Sequence, residues 1–229
     1  MASSDTTTVT PGTFFERLNA EEREAVLALG RRRSFPRGAV LMFEGETEER
    51  VMLLLAGRIK ASRVGPEGKE VVLGIRDPGD VLGELAFIDS EPRSATVAAL
   101  EPVEALVMSG PAFRSHLETT PRVAVALLEV VAKRFREATI TRLQFSALDT
   151  LGRLAARVIE LGERYGEQTD EGITVDMPIS QEELASWAGA SRAGIAQALQ
   201  VLRELHWLET QRRRIIIRDA AALRARAAL

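Results

Sequence analysis

Hydrophobic and polar positions change rhythm several times along the chain. Phe15, Leu18, Val26 and Leu29 recur at helical spacing with acidic residues between them. This predicts helix over Phe14 to Leu29. Asn19, followed by Ala20-Glu21-Glu22, is placed to cap a second helix and so split the stretch in two. From Ser34 to Met108 the pieces become short and β-prone: Ala39–Phe43, Arg50–Leu55, Arg58–Val64, Glu70–Ile75, Ala95–Ala98 and Val103–Met108. Turns such as Pro36-Arg37-Gly38, Gly65-Pro66-Glu67-Gly68 and Asp77-Pro78-Gly79-Asp80 separate them. Strands spaced this closely predict an antiparallel barrel or sandwich.

Helical rhythm returns at Pro111 and runs through Leu117. Thr120 as cap and Pro121 in the first turn then start a long run without glycine, to about Ser146. Within it Leu128, Val131, Phe135, Ala138, Arg142 and Phe145 follow alternating spacings of three and four, a heptad seam with one charged position. Two readings stand for this seam: a helix packed on its own barrel, or a short dimeric coiled coil. The length of the run favours the second. Ala147-Leu148-Asp149-Thr150 breaks the pattern, and Asp149 or Thr150 can cap a helix running to about Tyr165. Gly166 to Gly172 reads as a loop, Ile173 to Met177 as a short strand, and the Ala-Arg-rich end as weakly helical.

Ser180-Gln181-Glu182-Glu183 is a capping box ahead of the apolar face Leu184, Ala185 and Ala188. Gly189 supplies the left-handed residue that ends a helix. Ser191 caps a second helix that turns Ile195, Ala198, Leu199 and Leu202 inward. Helix, glycine turn and helix in this order form a helix-turn-helix pattern, whose second helix can enter a major groove. Trp207 to Thr210 and Ile215 to Ile217 flank Gln211-Arg212-Arg213-Arg214, a hairpin or wing with a basic tip. Ser180 and Gln181, with Ser191, Arg192, Gly194, Gln197 and Gln200 on the exposed face, are the candidate DNA contacts. Arg212 and Arg213 are candidate phosphate contacts. Arg192 can bond guanine bidentately, and Gln197 can do so with adenine.

Composition narrows the chemistry. The 229 residues are 45% hydrophobic and 28% charged, which fits a packed chain of one large or two small domains rather than a disordered one. The net charge of −3 leaves nucleic-acid binding to a local patch. The absence of cysteine excludes disulfides, thiolate metal sites and cysteine nucleophiles. Only His116 and His206 are available as imidazoles, so no metal site and no catalytic residues are assigned, and no enzyme is expected. His116 reads as a surface residue near a helix end. Residues 1–12 read as a disordered polar tail without the features of a signal peptide. No apolar run approaches the roughly 18 residues of a membrane helix. A cytoplasmic protein without membrane contact is expected.

Two further motifs, Gly83-Glu84-Leu85-Ala86 and Arg93-Ser94-Ala95-Thr96, precede the long helix. With them the chain resembles the cyclic-AMP receptor protein (CRP/FNR) family of bacterial transcription regulators over about residues 13–220. The resemblance implies an α+β chain of three parts. These are a jelly-roll-like cyclic-nucleotide-binding β-roll (13–120), a dimerisation helix (121–146) and, after a hinge (147–149), a winged helix-turn-helix domain (150–229). Gly83, Glu84, Leu85, Ala86, Arg93 and Ser94 look like the family's phosphate-binding cassette. A helix starting at Gly83 directs free amides at an anion. Arg93 can pair with a phosphate oxygen and Ser94 can add a hydroxyl. Glu84 can accept from a ribose 2′-hydroxyl. The competing reading makes Glu84 and Arg93 a structural ion pair. The resemblance also implies that Arg134 lies near the phosphate, that Thr139 meets the adenine amino group, and that Ala61, Leu73 and Arg76 line the purine end.

The chain departs from the family at several of these places. Ala138 replaces the first hydroxyl of the family's Thr-Ser pair, and Arg76 can donate to guanine, so cyclic GMP competes with cyclic AMP as the allosteric ligand. The recognition helix opens Ser191-Arg192-Ala193 without the family's glutamate, and Gln197 stands where the family has an arginine. A changed DNA half-site follows. The absence of cysteine removes iron–sulfur oxygen sensing, and the long helix has no histidine for haem. No cofactor is expected. The expected partners are a double-stranded DNA operator, a cyclic nucleotide and a second copy of the chain, with RNA polymerase a further candidate. The expected function is ligand-gated, homodimeric, sequence-specific DNA binding. The alternatives are a regulator that binds DNA constitutively without a nucleotide, or one that responds to cyclic GMP.

Overall fold

A computed structural model describes residues 10–65, 68–176 and 179–228. Residues 1–9, Pro66 and Glu67 of the expected turn, and Met177 of the expected strand lie outside the described residues. The chain divides into two compact units: residues up to 68 with 73–136, and residues 69–72 with 137 onward.

The first unit begins with a 3₁₀ turn at Phe15–Arg17 and α1 (Ala20–Leu27). Asn19 caps this helix, as its position predicted, and also closes a full capping box with Glu22. The strands are β1 (Gly30–Phe35), β2 (Val40–Met42), β3 (Val51–Ala56), β4 (Ile59–Val64), β5 (Glu70–Arg76) and β6 (Val81–Leu82). After α2 (Glu84–Asp89) come β7 (Thr96–Ala99) and β8 (Val103–Met108). Then α3 (Gly110–Thr119) leads into α4 (Pro121–Ala147). The strands form two sheets, ordered β1-β8-β3-β6 and β2-β7-β4-β5.

β3 explains how these layers hold together. Its run Val51-Met52-Leu53-Leu54-Leu55 is buried throughout. Alternate side chains face opposite ways from a strand. Met52 and Leu54 join Leu41, Met42, Ile59, Val97 and Ala99, from the other sheet, in one apolar cluster. Val51, Leu53 and Leu55 join a second cluster with Phe14, Phe87, Phe113, Val123, Leu127 and Val130. The sheet carrying β3 is therefore covered on one face by the other sheet and on the opposite face by helices. α4 contributes Val123, Ala126, Leu127 and Val130 to that cover, the helical spacing of one buried stripe.

β1 and β6 were not expected. β1 is an edge strand whose Arg31, Arg32 and Arg33 are all exposed, so it shows no alternation of apolar and polar residues. Charges on such an edge discourage pairing with other chains. His116, expected at the surface, is half-buried in the last turn of α3.

The second unit contains α5 (Thr150–Tyr165), β9 (Gly166–Thr169), β10 (Gly172–Asp176), α6 (Gln181–Trp187), α7 (Arg192–Glu204), β11 (Leu208–Gln211), β12 (Arg214–Ile217) and α8 (Ala220–Ala227). Its strands form a sheet ordered β11-β12-β10-β9. The expected loop after Tyr165 is instead the first strand of a hairpin. β9 pairs antiparallel with β10, but all four of its residues are exposed, so no hydrophobic pattern marked it. Asp149 is the cap of α5, accepting from Gly152 N at 2.9 Å.

Gly189 ends α6 at φ +61, and a Cβ there would lie 2.0 Å from Phe145 Cε1. The turn thus needs glycine both for its backbone and for the seat of Phe145. Gly189→Ala is expected to destabilise the second unit by about 2 kcal/mol, read as a lower Tm. Adding Phe145→Ala should recover the steric part and leave the roughly 1 kcal/mol of left-handed strain.

Candidate functional site

α2 is preceded by Gly83 at φ +79, and no side chain caps the helix. A Cβ at Gly83 would lie 2.2 Å from Arg93 Nη1, so only glycine leaves the guanidinium its place. Arg93 is 4% exposed. Its Nη1 donates to Gly83 O at 2.8 Å and its Nη2 to Arg50 O. Its Nε is buried and finds no acceptor among the described residues. Burial, and then the positive charge of Arg50, push the pKa of Arg93 below the ordinary arginine value. Arg93 is thus a buried cation turned onto backbone carbonyls, with one donor to spare. Such an arrangement favours an incoming anion.

Glu84 is 6% exposed, and its Oε1 accepts from Arg134 Nη1 at 2.6 Å. Arg134 Nη2 also donates to Asp80 Oδ1 at 2.8 Å and to Val81 O at 3.0 Å. Burial works against the charge on Arg134, but the carboxylates of Glu84 and Asp80 outweigh it and raise its pKa above the ordinary value. Arg134 therefore joins α4, α2 and the turn before β6. The alternative ion pair between Glu84 and Arg93 is not formed, because Arg134 takes the carboxylate.

Gly83, Glu84, Arg93 and Arg134 thus share one neighbourhood. Leu85 and Ser94 are exposed beside it in sequence, and Ala86 is buried. Ala61 is half-buried on β4, Leu73 is exposed on β5, and Arg76 donates through Nη1 to Ile75 O at 3.0 Å. Thr139 is exposed on the part of α4 that groups with the second unit. Asp80 escaped the sequence reading because Asp77-Pro78-Gly79-Asp80 carries every mark of an ordinary turn. The carbonyl of Arg50, which holds Arg93, leaves no mark in a sequence at all.

In the second unit, Ser180 Oγ accepts from Glu183 N at 3.1 Å, and Glu183 returns the bond to Ser180 N at 2.7 Å. Gln181 is exposed in the first turn of α6. Ser191 caps α7 by accepting from Gly194 N at 3.0 Å. Arg192 opens that helix, is exposed, and makes no ion pair among the described residues. Gln197 is exposed and Gly194 half-buried. Gln200 is turned onto its own helix, donating to Glu204 Oε1 at 2.8 Å.

The basic run at the wing divides by geometry. Gln211 pairs with Arg214 across the hairpin, so Arg212 and Arg213 form its two-residue turn, both exposed. Arg214 points elsewhere, its Nε donating to Asp176 Oδ1 at 2.7 Å. Arg213 holds φ +58, a conformation that glycine or asparagine adopts more readily.

A double-sheet roll, a long helix and a winged helix-turn-helix define a DNA-binding transcription regulator with a cyclic nucleotide-binding domain. Residues 32–120 match the model of the cyclic nucleotide-binding domain, and residues 152–226 match that of the Crp-like helix-turn-helix domain. The chain is 32% identical over 193 residues to a CRP-like cAMP-activated global transcriptional regulator of Mycobacterium tuberculosis, covering 84% of this chain and 86% of that relative. It is 27% identical over 210 residues to the cyclic AMP receptor protein of Thermus thermophilus, covering 92% and 94%. A solved CooA variant from Carboxydothermus hydrogenoformans shares the fold, with a TM-score of 0.80, 21% identity, and coverage of 97% and 99%. The chain belongs to the CRP/FNR family of transcription regulators, and its α+β architecture is the one the resemblance implied. Among the described residues no helix is long and apolar enough to cross a membrane.

Replacing Arg134 with methionine would leave Asp80 and Glu84 buried without their cation. A loss of about 3–5 kcal/mol is expected for the first unit near neutral pH. The fall in Tm of Arg134→Met relative to wild type measures that loss.

Proposed function

We propose that this protein is a homodimeric regulator whose sequence-specific DNA binding is gated by a cyclic nucleotide, cyclic AMP, held by the first unit. The observation that carries this reading is the buried Arg93 guanidinium with an unused Nε beside Gly83. A phosphate oxygen supplies the acceptor that Nε lacks, and Ser94 adds a hydroxyl. Glu84, held by Arg134, accepts from the ribose 2′-hydroxyl. Leu85 and Ala86 complete the cassette, Ala61 and Leu73 take the purine, and Thr139 meets the adenine amino group. The name of the Mycobacterium tuberculosis relative, cAMP-activated, supports the choice of nucleotide. Arg76 favours a second reading. Its guanidinium, which donates to the carbonyl of Ile75 through Nη1, is of the type that suits guanine O6 and N7.

The dimer is supported by α4, on which Leu128 is 65% and Phe135 73% exposed. Exposed apolar side chains at seam positions are what a second helix covers. Such a dimer presents two copies of α7 to half-sites about one DNA turn apart. Arg192 and Gln197 read bases, Arg212 and Arg213 meet phosphates, and Ser180, Gln181, Ser191, Gly194 and Gln200 complete the surface.

Calorimetric titration with cyclic AMP and cyclic GMP tests the ligand. Binding of cyclic AMP that falls about 100-fold in Arg93→Leu is expected. Preference for cyclic GMP places Arg76 at the centre of base selection. Binding of neither nucleotide supports a regulator that needs no ligand. For the wing, Arg213→Gly should relieve the turn, leaving Tm equal or higher. It should also weaken duplex binding and make the salt dependence shallower, by roughly 0.9 in slope for every phosphate that a protomer ceases to neutralise.

A further inference from the structure

Arg142 occupies a position of the α4 seam that favours an apolar side chain. By the three-four spacing it follows Leu128, Val131, Phe135 and Ala138 and precedes Phe145. In a parallel pair of helices, the knob at this position enters a hole formed by Ala138, Thr141, Arg142 and Phe145 of the second copy. None of these is acidic. On its own helix the residues three and four positions away are Ala138, Thr139, Phe145 and Ser146, again without a carboxylate. Arg142 is exposed and makes no ion pair among the described residues. Ser146 Oγ bonds its carbonyl, at 3.2 Å, not its guanidinium. The only charge this seam offers Arg142 is its own copy.

The two halves of the seam therefore differ. Val125, Leu128 and Phe135 are exposed and apolar. The exposed apolar Ile140, Leu143 and Phe145 continue into the second half, but there a seam position is held by the exposed cation Arg142. We propose that Arg142 makes the second half of the dimer seam self-repelling. Two copies pair firmly through residues 125–135 and are held apart at 139–146, the end that leads into α5. Like charges facing each other oppose closure, and salt screens them. The inference rests on the dimer reading above, and the occupant of the seam is a second copy of this chain.

The test is sedimentation of the full chain without nucleotide, in about 0.05 M and about 0.5 M NaCl. Wild type should dimerise more tightly at the higher salt. Arg142→Leu should dimerise about tenfold more tightly than wild type at low salt and lose that salt response. Wild type mixed with Arg142→Glu should form the heterodimer beyond its statistical share at low salt, because opposite charges then meet. Where dimers are too tight for sedimentation, subunit exchange reads the same order, slower in Arg142→Leu than in wild type. A dimer indifferent to Arg142→Leu, or a statistical mixture with Arg142→Glu, overturns the inference alone. A wild-type chain that stays monomeric overturns the dimer reading and this inference together.

Discussion

One guanidinium joins two stretches of the first unit that are distant in sequence. Arg134, on α4, bonds Glu84 at the start of α2 and Asp80 and the carbonyl of Val81 before and within β6. Removing an ionised arginine from water is unfavourable, and attraction to the two carboxylates offsets that penalty only in this geometry. The triad is therefore better understood as fixing geometry than as adding stability. It sets the position of α2 against α4, and with it the direction of the Glu84 carboxylate. The neighbouring Arg93 is held differently, by the carbonyls of Gly83 and Arg50. Carbonyls orient a cation without neutralising it, so among the described residues Arg93 has no carboxylate bonded to it while the charge of Arg134 is already matched.

This polar cluster is held by an apolar frame that alternates with unusual regularity. β3 sends Met52 and Leu54 toward one sheet and Val51, Leu53 and Leu55 toward the helices. β8 does the same with Val103 and Ala105 on one side and Leu106 and Met108 on the other. Phe87 of α2 packs in the helix-side cluster with Val130 of α4. The hydrophobic contacts that bury the helices also bring Glu84 and Arg134 to bonding distance. Arg134 follows Val130 by four positions, about one helical turn, so packing and ion pairing fall on the same side of α4.

Much of this was legible before the fold was known, for identifiable reasons. Caps are local, so Asn19, Asp149, Ser180 and Ser191 could be read from a few residues, and each accepts the expected amide. Val103–Met108 was bounded correctly because its flanks break the β pattern. The missed strands failed in the opposite way. β1 and β9 lie at sheet edges, exposed along most or all of their length, so burial never stamped a period on them. Asp80 was missed because its partner lies 54 positions away. The same limit applied to the competing pair of Glu84 and Arg93, since spacing along the chain could not show that Arg134 arrives first.

The junction between α4 and α5 follows from the same logic. Asp149 ends α4 by capping α5, and Arg226 of α8 binds both oxygens of that carboxylate at 2.5 Å. Backbone bonding with Gly152, opposed by burial and supported by Arg226, holds the Asp149 carboxyl below its ordinary pKa, so the cap is charged and strong across the neutral range. Arg153 then reaches in three directions. It donates to Leu148 O at 2.8 Å and Ala188 O at 2.9 Å, and its guanidinium lies 5.5 Å from the centre of the Phe145 ring. The end of the long helix is thereby attached to the turn between α6 and α7 through a side chain from α5. A free linker would let α7 take any orientation relative to that helix end. Here, rotation of the last turn of α4 must move Phe145 against Gly189 or break bonds to Arg153.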